Sequence, residues 1–221
     1  MPLSPSICGM ILAAGASSRM GRDKALLPWP PVAEGTPAVN TFLGATIDLL
    51  QAYSDLVIVV AGKNATTIAP VVYSHAAFLT VNREPERGQF SSLQAGLQEV
   101  LNQGRDAAFV ALIDRPPVLP GTMRQLREAF LYADAGVWAV VPEVTRGVQK
   151  VHGHPILISR EMIHVFLSAP VTATARDIEH QHQRNIHYVA VEDPHVGVNI
   201  DTPEDYARLA SAEMMWSEKQ F

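Results

Sequence analysis

Short apolar, β-branched runs alternate with helical patterns along almost the entire chain, and this alternation limits the fold more than any other feature. The order is typical of βα units that build a mainly parallel sheet. Most of the runs are apolar at nearly every position, as expected of strands that are covered on both faces. The sequence therefore predicts an α/β fold, a Rossmann-like three-layer sandwich with a mainly parallel central sheet.

The predicted elements follow this alternation. The predicted strands are Ile7–Ala13, Leu56–Ala61, Ala77–Val81, Ala107–Ile113, Val137–Val141, Ile156–Ile158 and Ile186–Val191. The predicted helices are Val39–Ala52, Ser91–Asn102, Thr122–Tyr132, Arg160–Leu167, Ala173–His182 and Pro203–Met214. The stretch Pro28–Pro37 contains four prolines and Gly35, and it is predicted to be a surface loop.

Composition limits the class of protein. The chain has 221 residues, of which 48% are hydrophobic and 18% are charged. These values exclude the disordered, collagenous and coiled-coil classes, and the length favours a single domain over residues 1–221. The formal net charge of -5 gives no general attraction to polyanions. We therefore expect no nucleic-acid partner, and any phosphate site must be built locally from the backbone and a few cations.

Cysteine usage and the N-terminus bear on the cellular compartment. Cys8 is the single cysteine, which excludes an internal disulfide framework and a multi-cysteine zinc site and fits a reducing compartment. Met1 to Ser6 contains no basic region, and the apolar run from Ile7 to Ala14 is too short to span a membrane. We expect a cytoplasmic protein without membrane association.

A glycine-punctuated loop, LAAGASSRMGRDK, runs from Leu12 to Lys24 directly after the first predicted strand. Its glycines allow backbone N–H groups to approach phosphate oxygens, and its arginines and lysine offset phosphate charge. The loop is not a Walker loop, since no Lys-Ser or Lys-Thr pair follows Gly21, and Gly15 lies too far from Gly21 for GxGxxG. The pattern predicts a polyphosphate site, and the alternative is a strand-to-helix turn that binds nothing.

The loop resembles the LxAGxxxRMGxxK signature of the nucleotidyltransferases of molybdenum cofactor biosynthesis. The resemblance implies a fold of the nucleotide-diphospho-sugar transferase type, in which the loop's first residues line the base and ribose and its cations hold the phosphates. The nucleotide-binding residues implied in this loop are Leu12, Ala13, Ala14, Gly15, Arg19 and Lys24. Ala14 gives the loop an LAAG start, which is similar to the cytidylyl branch of the family, whereas LAGG is typical of the guanylyl branch.

Asp114 is the candidate metal ligand. It follows the predicted strand Ala107–Ile113, at the edge where open α/β sheets bind ligands, and Mg²⁺ takes one or two carboxylates together with phosphate and water. The alternative is a proline turn that merely begins at Asp114. Asp114 to Pro116 resembles the family's metal-binding DxP motif. The resemblance offers Asn199 or Asp201 as the second ligand, and Asp201 alternatively serves only to start the last helix.

A polar loop beginning at Asn82 leads into a segment with a predicted helix start, where Ser91 and Gln94 have the spacing of a capping box. The segment also resembles the family's GxxSSLxAG base-contacting motif. Asn82, Ser91 and Ser92 are therefore further nucleotide-binding candidates, and the alternative for the serines is an ordinary helix cap.

Two residues are candidates for binding the acceptor. His154 lies in Gly153-His154-Pro155, which resembles the family's GHP motif. The alternative is a zinc pair with His152, since two residues that are two apart share one face of a strand. Arg176 ends Val171–Arg176, where the cytidylyl branch has GDxGAR; this chain keeps the Ala-Arg pair but lacks the acid and both glycines.

The resemblance implies a Mg²⁺-dependent nucleotidyltransferase in which Lys24, Arg19 and Asp114 are catalytic. The predicted substrates are CTP and a phosphorylated acceptor, with a molybdopterin-type cofactor favoured. Because an ionised phosphate is already a nucleophile, no general base is required. The alternatives are a GTP-dependent enzyme, a sugar-1-phosphate nucleotidyltransferase, and a non-catalytic nucleotide-binding regulator or cofactor chaperone.

Overall fold

The computed structural model describes residues 5–15, 19–32, 39–170 and 172–217, with side chains as far as Ser211. The strands within these residues are β1 (Ile7–Leu12), β2 (Pro28–Trp29), β3 (Asn40–Thr41), β4 (Leu56–Ala61), β5 (Phe78–Val81), β6 (Ala107–Leu112), β7 (Ala139–Arg146), β8 (Gln149–His152), β9 (Ile156–Ser159) and β10 (Ile186–Ala190). The helices are α1 (Phe42–Gln51), α2 (Ala65–Ser74), α3 (Gln89–Asn102), α4 (Pro120–Leu131), α5 (Arg160–Ser168), α6 (Ala175–Gln181) and α7 (Pro203–Ser217).

One large sheet organises the described part of the chain. Its strand order is β10-β7-β9-β6-β1-β4-β5, and β8 pairs with β7. Parallel pairing joins β1 to β4 and β6, β4 to β5, and β7 to β10. Strand β9 runs antiparallel between β6 and β7. The prediction of an α/β fold with a mainly parallel sheet is confirmed.

The sheet is covered on both faces because its strands alternate between two apolar cores. In β1, Ile7 and Ile11 belong to one core, whereas Cys8, Met10 and Leu12 belong to the other. Helices α1, α2, α4 and α7 contribute buried residues to the first core, and α3, α5 and α6 contribute to the second. The result is three layers, as predicted.

A topological switch point lies beside β1. The chain builds outward from β1 through β4 to β5 and then returns to the opposite side of β1 as β6. Leu12 and Leu112 lie opposite each other at the ends of β1 and β6. Since open α/β sheets bind ligands at the carboxyl ends of strands where the order reverses, this edge is where a site is expected.

Helix α2 was not predicted. Its sequence, ATTIAPVVYS, is rich in β-branched residues and contains Pro70, both of which are unfavourable inside a helix. Ile68 and Val72 nevertheless lie one turn apart and are fully buried in the first core. Burial of this face therefore outweighs the poor local propensity.

Smaller differences concern short strands and helix ends. Strand β8 is polar and was missed because its order comes from pairing with the end of β7. Pro28–Trp29 pairs with Asn40–Thr41, so the predicted loop begins with a short strand, and residues 33–37 of that loop lie outside the described residues. The helix predicted from Val39 begins at Phe42, because the Thr41 hydroxyl accepts from the Gly44 N–H at 3.0 Å.

No helix in the described ranges has the length and apolar character needed to cross a membrane.

Candidate functional site

The glycine loop joins the end of β1 to a short 3-10 turn, Lys24–Leu26. At its start, the Ala13 N–H donates to the Val60 carbonyl at 2.8 Å. At its end, Asp23 Oδ1 accepts from the Ala25 N–H at 3.0 Å and fixes the turn. Residues 16–18 lie outside the described residues, so the structure describes the two ends of the predicted phosphate loop.

Asn64 ties these two ends together. Its Nδ2 donates to the Ala13 carbonyl at 2.9 Å and to Asp23 Oδ2 at 2.7 Å, and its Oδ1 accepts from the Gly62 N–H at 3.2 Å. Asn64 was not among the site residues predicted from the sequence. A signal was present, because Asn64 closely follows the predicted strand beside β1 and therefore lies at the same edge of the sheet.

A cleft of about 240 Å³ opens between the glycine loop, the end of β6 and the start of α3. Its lining residues are Leu12, Ala14, Gly15, Lys24, Pro85, Gly88, Gln89, Ser92, Ile113 and Asp114. Six of the predicted nucleotide and metal residues are thus brought together. A Cβ built on Gly15 would meet no described atom within 4 Å, so this backbone faces open space at the cleft. Ala13 is buried beneath the loop.

The two predicted phosphate-binding cations share one carboxylate oxygen. Lys24 Nζ lies 2.8 Å and Arg19 Nη2 lies 3.2 Å from Asp201 Oδ1. The side chain of Lys24 is only 10% exposed, whereas that of Arg19 is 69% exposed. The hydrogen bond from Lys24, helped by the charge of Arg19, holds the pKa of Asp201 below its ordinary value. Asp201 therefore stays ionised and holds both cations beside the cleft.

Asp201 does not cap the last helix. The side chain that binds the backbone at the start of this helix is that of Asp205, whose Oδ2 accepts from the N–H groups of Asp201 and Thr202 at 2.9 Å each. The Thr202 hydroxyl in turn accepts from the Asp205 N–H at 3.2 Å. The interpretation of Asp201 as helix-start chemistry alone is wrong, because its carboxylate binds the loop cations and accepts from Asn199 Nδ2 at 2.5 Å.

Asp114 lies where β6 ends, and its environment fits a divalent cation. Its Oδ1 is buried and has no hydrogen-bond partner in the described chain. Its carbonyl accepts from the Ile200 N–H at 2.8 Å, which brings the neighbours of Ile200, Asn199 and Asp201, to the end of β6. Within the described ranges, no three His, Cys, Asp or Glu side chains form a metal cluster. A free carboxylate oxygen without such a cage suits Mg²⁺, which shares its coordination between one or two carboxylates, phosphate and water.

Asn82 belongs to a buried network behind the cleft. Its Nδ2 donates to the hydroxyls of Ser91 at 2.9 Å and Ser92 at 3.0 Å, and its Oδ1 accepts from the Glu84 N–H at 3.0 Å. Of the three predicted contacts in this segment, Ser92 lines the cleft, whereas Asn82 and Ser91 do not. Asn82 therefore positions the loop against the helix.

The predicted capping box between Ser91 and Gln94 is not formed. Helix α3 begins at Gln89, and Gly88, with a φ of 94°, is its N-cap residue. Gln94 Nε2 instead donates to two carbonyls at the end of α5, each at 3.0 Å. The positive φ of Gly88 favours glycine and lets the chain turn directly into the helix, so that Gly88 and Gln89 face the cleft.

A larger cleft of about 570 Å³ adjoins the first and shares Leu12, Gly88 and Gln89 with it. His154, one predicted acceptor contact, lines this cleft. Burial lowers the pKa of His154 to about 4. The other predicted contact, Arg176, is exposed on α6 and is not among the lining residues.

The proposed zinc pair is not supported by the geometry. His152 ends β8, where its Nε2 lies 2.9 Å from Glu143 Oε2 and its ring stacks on Tyr188 with 4.2 Å between centroids. His154 lies beyond the end of that strand, with its Nδ1 3.2 Å from the Val110 carbonyl. The two imidazoles therefore do not share a strand face, and the alternative of a common zinc site is wrong.

Comparison with known proteins identifies the family that this chain matches. The model of the MobA-like NTP transferase domain matches residues 9–186. The chain is 26% identical over 200 residues to the molybdenum cofactor cytidylyltransferase of Escherichia coli K12, covering 89% of this chain and 92% of that one. It is 28% identical over 211 residues to the nicotine blue oxidoreductase of Paenarthrobacter nicotinovorans, covering 93% and 97%. The solved structure of Rv0371c from Mycobacterium tuberculosis H37Rv matches with a TM-score of 0.74 and 26% identity, covering 93% and 98%.

Proposed function

The chain belongs to the family of MobA-like NTP transferase domains and is a nucleotidyltransferase, and we propose that it transfers CMP from CTP to a molybdopterin-type cofactor with release of pyrophosphate. The observation that carries this proposal is the smaller cleft. There, the open backbone of the glycine loop, the ammonium of Lys24 and the unpartnered oxygen of Asp114 meet at one edge of the sheet.

The phosphate-binding role rests on Lys24 and Arg19. Lys24 lines the cleft, whereas Arg19 does not and is placed near Lys24 by their common partner, Asp201. A triphosphate offers several anionic oxygens and would compete with Asp201 for the same cations. In the proposed complex, Lys24 stabilises charge that develops on the phosphates, and the loop backbone donates hydrogen bonds to them.

Asp114 is the proposed ligand for Mg²⁺, with Asn199 or Asp201 as the second. When bound, Mg²⁺ would supply a Lewis acid that offsets the negative charge of the phosphates during transfer. The chain supports this role through the Ile200–Asp114 backbone bond, which keeps the two candidate ligand segments together.

The reaction needs correct placement more than proton transfer. An oxygen of the acceptor phosphate forms a bond to the α-phosphorus, while the bond from that phosphorus to the leaving pyrophosphate breaks. An ionised phosphate requires no general base. CTP is the favoured donor because Ala14, which lines the cleft, gives the loop its LAAG start, and because one relative is named a cytidylyltransferase.

Pyrophosphate release with each nucleoside triphosphate, Mg²⁺ and molybdopterin tests the proposal. We expect release with CTP above that with GTP, and none without acceptor. Release with none of the triphosphates would overturn the proposed reaction, and a preference for GTP would overturn the CTP assignment.

Two variants test the residue roles. Asp114→Asn should lower Mg²⁺-dependent turnover by about 10²-fold or more, whereas Asp134→Asn, at an exposed position, should not. Lys24→Ala should weaken CTP binding or turnover, and Lys150→Ala, which removes an exposed ammonium that pairs with Glu143, serves as its control. Unchanged CTP affinity and turnover in Lys24→Ala would rule out its phosphate role.

A further inference from the structure

The two candidate second ligands, Asn199 and Asp201, lie in a segment without regular structure. Residues 191–202, all of them described, join β10 to α7 and belong to no helix or strand. The buried backbone groups of such a segment need partners from elsewhere, because no helix or sheet supplies them. The position of both candidate ligands therefore depends on the residues that bind the backbone of this segment.

Asp114 and Arg115 bind the segment at two points. The Asp114 carbonyl accepts from the Ile200 N–H at 2.8 Å, and Arg115 Nη1 donates to the Val198 carbonyl at 3.2 Å. Val198 and Ile200 are two residues apart, so the two bonds fix the same short stretch of backbone. One candidate ligand lies between the two bonds, and the other follows directly.

The same stretch of backbone is linked to the smaller cleft. Asn199 Nδ2 donates to Asp201 Oδ2 at 2.5 Å, and Asp201 Oδ1 accepts from Lys24 Nζ at 2.8 Å. Lys24 lines the smaller cleft together with Asp114. A shift of the segment would therefore move a candidate metal ligand and the counterion of a phosphate-binding cation at once.

The guanidinium of Arg115 does not occupy the carboxylate of its neighbour. Arg115 Nε and Asp114 Oδ1 are both buried, and neither has a hydrogen-bond partner in the described chain. The bond from Arg115 to Val198 joins a charged donor to a neutral carbonyl, and such a bond is stronger than one between two neutral groups. Arg115 thus holds the segment while the Asp114 oxygen stays available for a metal ion.

We propose that Arg115 is a positioning residue of the metal site. Through the Val198 carbonyl it holds Asn199 and Asp201 at the end of β6, so that the second protein ligand is in place before the metal ion binds. Residues that orient metal ligands from outside the coordination shell raise the affinity for the metal in this way. The proposal rests on the proposed function for the metal and the nucleotide, whereas the tether itself does not depend on it.

Arg115→Met, which removes the donor, tests the tether in the metal-free full chain. Hydrogen exchange of the amides in residues 196–201 should become about tenfold faster, because the segment opens more often without its charged hydrogen bond.

The same variant tests the role at the metal site. Mn²⁺ affinity in the presence of CTP, measured by the EPR signal of the free ion, should fall by about 10- to 100-fold. The sign separates position from charge, since loss of a nearby positive charge alone would strengthen the binding of a cation.

Three further variants complete the comparison. Arg127→Met removes an exposed arginine of α4 and should change neither measurement. Val72→Ala leaves a cavity in the first core and shows the effect of lower stability alone, so it should keep the Mn²⁺ affinity of the wild type. Arg115→Gln repeats the test with a shorter, polar side chain, so the comparison stands even where Arg115→Met is unstable. Thermal unfolding reports whether each variant is folded.

Unchanged exchange of residues 196–201 in folded Arg115→Met would overturn the tether. Unchanged or tighter Mn²⁺ binding would overturn the role of Arg115 at the metal site. If the wild type bound neither CTP nor Mn²⁺ while exchange accelerated in Arg115→Met, the result would count against the proposed nucleotidyl transfer and, with it, the metal role, and only the tether would stand.

Discussion

Asn64→Ala is the substitution that most directly tests whether the glycine loop is held ready for a nucleotide. It removes the two hydrogen bonds by which Asn64 Nδ2 joins the Ala13 carbonyl to Asp23, at 2.9 and 2.7 Å, together with the bond that Asn64 Oδ1 accepts from the Gly62 N–H at 3.2 Å. It leaves every residue that lines the smaller cleft in place. The expected effect is therefore on the order of the loop, with no loss of a direct contact to the nucleotide.

The size of the effect follows from these bonds. A bond between neutral groups contributes about 1 kcal/mol, and one to a charged group about 1.5–3 kcal/mol. Asn64 is half-buried, so hydrogen bonds to water replace part of the lost contribution, and we expect the free energy of unfolding to fall by about 1–2 kcal/mol. Binding must then restore the order of the loop, at a cost of about 1–2 kcal/mol, which corresponds to roughly 5- to 30-fold weaker CTP binding.

The assay pairs CTP titration in Mg²⁺ with urea unfolding of the same samples. Asn102→Ala is the matched control, because within the described residues the Asn102 side chain bonds to Gln98 and Glu99 of the same helix, α3. It should leave the CTP affinity unchanged. A lower stability of Asn64→Ala with wild-type CTP affinity would refute the positioning role, since the loop would then bind equally well without its tie.

Three further predictions concern the core and the larger cleft. Burial raises the pKa of the Cys8 thiol to about 12, so iodoacetamide at pH 8 should modify it only in urea, and modification of the folded protein would contradict its burial. Burial lowers the pKa of His154 from 6.5 to about 4, so as the pH falls the unfolded chain takes up a proton before the folded protein does, and this favours unfolding. Between pH 7 and 4.5, the free energy of unfolding of the wild type should therefore fall by about 2–3 kcal/mol more than that of His154→Gln. Parallel losses in urea unfolding would contradict this. Gly96→Ala would place a Cβ 2.4 Å from a sulfur atom of β1 and 2.6 Å from a methyl group of β4, and it should cost about 1–3 kcal/mol. Gly136→Ala, which meets nothing within 4 Å, should change the unfolding midpoint far less.

The parts of the fold that depend on local pattern were predicted from the sequence. Apolar β-branched runs identified β1, β4 and β6, which are almost entirely buried and need such residues on both faces. The edge strands β5 and β10 have similar runs but leave part of them exposed. Helix α2 and strand β8 were missed for the same physical reason. Each is ordered by its partners, α2 by the buried Ile68 and Val72 and β8 by pairing with β7, and neither has a local pattern that predicts it.

The site shows the same division. The glycine loop and Asp114 were found because each directly follows a strand that ends at the switch point. Asn82 was assigned to the nucleotide, but it is buried in a network with Ser91 and Ser92, since a polar residue after a strand serves equally well to hold a neighbouring loop. Arg176 was placed by a short motif on a helix, and helix phase turns it away from the cleft lining.

Asp201 explains how Lys24, the proposed phosphate ligand, can lie mostly buried at the smaller cleft. A lysine side chain that is 10% exposed needs a counterion, because burying an unpaired ammonium is costly. Asp201 provides it from 177 residues further along the chain, at a position where the sequence predicted a metal ligand or a helix start but no partner for Lys24. The cap is supplied by Thr202 and Asp205 instead, which leaves the Asp201 carboxylate for the cations. The ion pair thus holds Lys24 at the cleft in the position from which a triphosphate would take it over.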